Sequence, residues 1–162
     1  MTDEMGDQTE KTGRFLVTHA EDDSAVLKDV DDSQVHTLAE NPGVEAGDVL
    51  DATVRAVPPM GVSWSVVAVD ERRSLRVERS EEPPTARERD LAATQETGEV
   101  KREERAGMGE IHVISVPDER TDEAVDDVLD DEATLVRAAR MDDVVRVEVR
   151  TEPGVVAVRY LP

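Results

Sequence analysis

Hydrophobic positions fall into two regimes along the chain. From Gly13 to Arg79, short apolar runs follow one another: GRFLVTH, SAVLKDV, QVHTLA, VLDATVRAV, VSWSVVAV and SLRVER. Turn residues separate them at Glu21 to Ser24, Asn41-Pro42-Gly43, Ala46-Gly47-Asp48, Pro58 to Gly61 and Asp70 to Arg73. Five or six strands at this spacing predict a small β-barrel or a strongly curved sheet over residues 13–79.

The second regime is mixed. EIHVISV is apolar on both alternating faces, which suits a central strand covered from two sides. In VVRVEVR, Val145, Val147 and Val149 are expected to face in, and Arg146, Glu148 and Arg150 out. Pro153-Gly154 turns the chain into VVAVRYL, through a loop expected to exceed two residues because Pro-Gly favours type II geometry. Thr85 followed by Glu88 fits a capping box, so a helix is predicted from Ala86 to about Gln95, ended by Gly98. GEVKREE reads as a strand or as more helix, leading through a turn at Gly107-Met108-Gly109.

A second helical stretch runs from Thr121, read as the N-cap, to Met141. Val125, Val128, Leu129, Ala133 and Val136 form its stripe, and Asp130-Asp131 is a candidate break. Residues 1–12 lack periodicity and predict a disordered acidic tail, and Glu81-Glu82-Pro83-Pro84 marks a linker over 80–85. The predicted fold is α+β. A small N-terminal barrel or curved sheet is followed, over 86–162, by helix, hairpin, helix, hairpin: an antiparallel sheet with two helices on one face.

Charge changes the picture more than length does. Against 39 Asp and Glu stand 19 Lys and Arg, for a formal net charge of −20 over 162 residues, and only Lys11, Lys28 and Lys101 are lysines. Aromatic residues make up 2%, so Val, Ala and Leu must build the core. An acidic, lysine-poor, valine-rich composition resembles that of proteins from extreme halophiles more than that of an acidic mesophilic protein; in molar salt the Debye length falls to about 3 Å and carboxylates keep the surface hydrated. With no cysteine, disulfides and thiolate chemistry are excluded. The N-terminus has neither a basic nor an apolar leader region, and no run is long enough to span a bilayer, so a cytoplasmic protein with no membrane partner is expected.

Candidate chemistry is sparse. His19, His36 and His112 fall on three separate predicted strands with no strained serine beside them, which gives no triad. Asp29, Asp31, Ser33, Val35 and Glu40 share the spacing of a calcium loop, but Gln34 stands where the sharp turn needs glycine. Neither a metal nor a cofactor is expected, and no phosphate-binding glycine motif occurs. Arginines cluster from Arg72 to Arg105 with glutamates interleaved, which favours ion pairing within the chain around the domain junction over a basic strip for nucleic acid.

Gly13 to Val69 resembles the S1 type of OB barrel in its layout: an opening G-x-F-x-V strand, then VLKDV, QVHTL, GDVLDATV and a closing apolar strand. The resemblance implies single-stranded RNA as a partner, with His36 at the family's strand-three histidine; Lys28, Arg55, Arg72 and Arg73 are the cations available beside it. TGRFLVTH, QVHTLAENPG, GEIHVISVP, LVRAARM and VVAVRYLP are similar to a family of uncharacterised haloarchaeal proteins, which implies a source and a compartment but no activity. The leading expectation is a non-catalytic protein-binding or adaptor module, met through strand edges or the flat face of the C-terminal sheet. The alternatives are a single-stranded RNA binder and an enzyme with a site between the two halves.

Overall fold

The computed structural model describes residues 9–105 and 109–162. Residues 1–8 of the tail expected over 1–12, and Gly107-Met108 of the expected turn, lie outside them. The described chain divides into two compact units, 1–74 and 75–162. Together they hold ten strands and three α-helices, an α+β fold.

The first unit is a closed barrel. Its strands are β1 (Glu10–Glu21), β2 (Ser24–Asp29), β3 (Val35–Leu38), β4 (Asp48–Ala56) and β5 (Trp64–Ser74), in the order β1-β2-β3-β5-β4. β1 closes the barrel by serving two neighbours: Glu10 to Leu16 pair with β4, and Phe15 to Glu21 pair with β2. Its strand therefore begins at Glu10, inside the stretch expected to be disordered. All pairs are antiparallel except β3 with β5, which meet in parallel register at Leu38 and Trp64. Alternation sends Phe15, Val17, Ala25, Leu27, Leu38, Leu50, Ala52 and Val54 inward to a core with little aromatic volume. Asp70 to Arg73, expected as a turn, continue β5, because two register shifts against β4 absorb the extra residues as bulges.

The second unit is a five-stranded sheet in the order β6-β9-β10-β8-β7. These strands are β6 (Arg76–Arg79), β7 (Val100–Glu104), β8 (Glu110–Ser115), β9 (Arg146–Glu152) and β10 (Val155–Leu161). β6, which its sequence pattern groups with the barrel strands, pairs in parallel with β9, so the sheet is mixed and not wholly antiparallel. GEVKREE resolves as strand β7. The β9–β10 connection is two residues long, tighter than expected. Gly154 takes the positive φ of a type II turn (+85°), and Thr121 Oγ1 and the Val116 amide bond its backbone N–H and C=O.

Helices cover both faces of this sheet. α1 (Ala86–Ala93) has the predicted capping box: the Glu88 amide donates to Thr85 Oγ1, and the Thr85 amide to Glu88 Oε1. It lies on the face bearing Ser115, Arg159 and Glu148, where Glu88 meets Arg159 and Gln95 donates to Ser115. α2 (Thr121–Asp130) and α3 (Glu132–Arg140) lie on the opposite face, where Asp122 meets Arg79 and Arg137 reaches the Tyr160 hydroxyl. The two helical segments therefore sit on different faces, correcting the expected single layer. Glu148 and Arg150, expected in solvent, are correspondingly shielded.

The helical stretch does break at Asp131, whose carboxylate caps α3 by accepting from the Ala133 amide. The restart leaves Ala133 exposed and buries Thr134, Val136, Ala138 and Ala139. Thr121 is the first residue of α2 and not its cap; its hydroxyl donates to the Asp118 carbonyl. Among the described residues, no helix is long and apolar enough to cross a membrane.

Candidate binding surface at one end of the barrel

β3 and β5 run parallel, so the loops that precede them emerge at the same end of the barrel. These are residues 30–34 and 57–63. The first loop is fixed by buried Asp29, whose Oδ1 accepts from the amides of Asp31 (2.8 Å) and Asp32 (3.2 Å). Lys11, near the start of β1, ties this loop down through Asp29 (3.2 Å), Asp32 (2.5 Å) and Gln34 (2.9 Å). Burial pulls the Lys11 ammonium down, but Asp32 and Asp29 outweigh it and hold the group above its ordinary pKa. Lys11 in turn lowers the Asp32 carboxyl. The second loop is closed by bonds from Val57 N to Ser63 O and from Gly61 N to Val57 O.

Three large apolar side chains stand out at this end: Val35 (61% exposed), Met60 (76%) and Val62 (75%). The sequence pattern does not single them out, although PPMGV is unusually apolar for a loop. By pattern, Val35 belongs only to a strand and to a calcium-loop spacing. Alternation decides its exposure: His36 and Leu38 point inward, so Val35 and Thr37 point out.

His36 is 2% exposed and belongs to the barrel interior. Its ring stands edge-on between Phe15 (centroids 5.4 Å apart, 84°) and Trp64 (4.7 Å, 81°). Nδ1 is buried without a hydrogen-bond partner. Burial pushes the imidazole below its ordinary pKa, and the Lys11 charge adds to the shift. A ring enclosed in this way cannot stack on a base.

The other candidate residues do not converge on it. Lys28 is half-buried on β2, in register with Val35. Arg55 binds Glu10 through Nε at 2.8 Å near one end of β4. Arg72 and Arg73 lie against Leu50 and Val49 near the other end, roughly 20 Å from Arg55 at about 3.3 Å per residue. Arg72 is bound to buried Asp48 at 2.8 Å, and Arg73 stands close enough to Asp51 to help lower its carboxyl, behind the larger effect of Arg14. Three arginines beyond the barrel are similarly engaged, Arg79 with Asp122, Arg87 with Glu103 and Arg89 with Glu152. At the other end of the barrel an open cleft of about 590 Å³ is lined in part by Glu21, Asp22 and Glu45, whose carboxylates repel phosphate.

A family model matches residues 11–151. The chain belongs to DUF5812, a family of unknown function. The DUF5812 match takes in the barrel from Lys11 onward and the second unit as far as β9. Comparisons with curated proteins and with solved structures found no match.

The second unit of this DUF5812 chain holds one further polar cluster. His112 Nε2 lies 2.8 Å from Glu110 Oε1, and its ring is 4.9 Å from that of Tyr160. Burial lowers the His112 pKa against the opposing pull of Glu110, and burial raises that of Tyr160. Arg137 bonds the Tyr160 hydroxyl, so the cluster fastens α3 to the sheet. Among the described residues, no three His, Asp or Glu side chains converge as metal ligands would.

Proposed function

We propose that this DUF5812 chain is a non-catalytic binding module, and that the barrel end bearing Val35, Met60 and Val62 docks an apolar segment of a partner protein. The observation that carries the reading is the exposure of Val35, at the start of β3, together with that of Met60 and Val62 on the 57–63 loop at the same end. Burying each would contribute roughly 1–2 kcal/mol, which supports weak, reversible association unless polar contacts are added. A net charge of −20 favours a partner segment flanked by Lys or Arg. Strand addition fits less well. β6 and β7 carry Arg and Glu along the edges of the second sheet, which blunts edge pairing, and the barrel is closed. Helices already occupy both faces of the second sheet. The composition further supports a halophile's cytoplasm as the setting.

A second reading is single-stranded RNA. The order β1-β2-β3-β5-β4 with one parallel pair supports the resemblance to an OB barrel, a fold in which the β4–β5 loop borders the ligand face. Against it stand the enclosed His36, carboxylates beside Arg55, Arg72 and Arg73, and the acidic cleft. The enzyme reading gains no support from either unit, because His36 and His112 are each closed in by packing.

Affinity capture from lysate in molar KCl tests the reading, using wild type and the double variant Met60→Asp with Val62→Asp. Wild type should retain a specific protein that the folded variant loses. Retention of RNA in its place would favour the second reading. Equal protein retention by both chains would remove this surface from consideration.

A further inference from the structure

We propose that residues 81–97, with α1 at their centre, form a releasable strap over the β8–β10–β9 face, opening as a unit while the rest of the second unit stays folded. The backbone sets its limits. The Ser80 amide donates to the Val149 carbonyl (2.8 Å), and the Gly98 amide to the Ser115 carbonyl (2.6 Å). Between these anchors, the backbone–backbone bonds of 81–97 are local ones within the segment and its helix. No backbone–backbone bond joins it to the sheet; side chains fasten it, Arg150 also donating to the Pro83 carbonyl at 3.5 Å.

Those side chains are mainly polar. The contact side of the strap is Pro84, Glu88, Leu91, Ala92 and Gln95, and in α1 itself Glu88 is the one fully buried residue. α3, by contrast, buries Val136, Ala138 and Ala139. A chain of charges runs beneath the strap. Glu88 lies 3.3 Å from Arg159, Arg159 3.0 Å from Glu148, Glu148 2.7 Å from Arg150, and Arg150 3.3 Å from Glu82. Gln95 Nε2 donates to the Val113 carbonyl and Ser115 Oγ, each at 2.9 Å.

This layer is incompletely satisfied. Among the described residues, four buried side-chain polar atoms lack a hydrogen-bond partner, and three lie here: Glu88 Oε2, Gln95 Oε1 and Arg159 Nε. Glu88 and Arg159 are close enough for an ion pair but are not aligned as a hydrogen bond. A buried ion pair returns little beyond its desolvation cost, and an orphaned polar atom regains water when the strap lifts. Opening is therefore far less costly here than under an apolar helix. It would uncover Val113, Ala157 and the Arg159 guanidinium.

Hydrogen exchange of the full chain tests the proposal. In wild type, the amides of residues 89–95 should exchange at least tenfold faster than those of β10, share one opening rate, and respond little to low urea. Glu88→Gln should accelerate all of them by about threefold or more and leave β10 unchanged. Exchange of α1 together with β10, with the same urea dependence, overturns the proposal in wild type alone. So does a gradient of fraying from the helix ends that Glu88→Gln leaves in place.

Discussion

Burial governs His36 more than any single charge near it. Free imidazole takes up a proton near pH 6.5, while the enclosed ring does so only at lower pH. The unfolded chain therefore binds more protons than the folded barrel below that point. His36 costs nothing above about pH 6.5, and stability falls as pH drops from there toward the lowered folded value. The single tryptophan, Trp64, lies in the barrel, so its fluorescence follows unfolding of this unit. His36→Leu should remain within about 1 kcal/mol of wild type at pH 7, since it removes an unpaired nitrogen, and should flatten the fall in urea midpoint between pH 6.5 and 5. An unchanged slope would assign the pH dependence elsewhere. Backbone constraint is just as local at Gly109. Its φ is +90°, and a Cβ there would lie 2.0 Å from the Tyr160 carbonyl oxygen. Gly109→Ala should cost more than about 2 kcal/mol in thermal unfolding of the second unit. Gly98→Ala, with φ +93° but open space around it, should cost about 1 kcal/mol.

At the scale of elements, the three helices are held in different ways. Val125 of α2 is fully buried, whereas Leu91 of α1 is only half-buried. Val125→Ala should therefore cost roughly 2 kcal/mol and Leu91→Ala under about 1, read from urea midpoints by far-ultraviolet circular dichroism. Equal losses would mean that α1 carries apolar packing its sequence does not show. Asp131→Ala, which removes the α3 cap, should cost about 1 kcal/mol. The strands show a similar range. β9 carries Val147 and Val149 on one face and the Glu148–Arg150 pair on the other, and both faces are covered.

Across the whole molecule, an excess of 20 negative charges outweighs every local electrostatic feature. Exposed pairs such as Arg87–Glu103 weaken in salt, but solvent already screens them and they contribute little to stability. Repulsion among unpaired carboxylates is spread over the surface and is screened as the Debye length falls from about 10 Å at 0.1 M to 3 Å at 1 M. Raising KCl across that range should therefore raise the urea midpoints of both units, measured by Trp64 fluorescence for the barrel and by circular dichroism for the rest. A fall in either midpoint would mean that ion pairs outweigh repulsion.

Strand and helix positions were legible in the sequence wherever the apolar period was clean. The barrel strands, the Thr85–Glu88 box, the break at Asp131 and the two-sided strand at Ile111 to Ser115 all follow from local side-chain pattern. Partner choice was not legible, because hydrogen bonding across a sheet joins residues far apart in the chain. That is why β6 joins β9, why β5 runs on through Asp70 to Arg73, and why α1 and α3 lie on opposite faces. The same limit hid the candidate surface. Whether His36 faces solvent depends on the register of β3 against β2 and β5, and closure of the barrel turned it inward while leaving Val35, Met60 and Val62 outside. Local chemistry in the chain determined the elements and the charge they carry; only the tertiary structure decided which side chains water can reach.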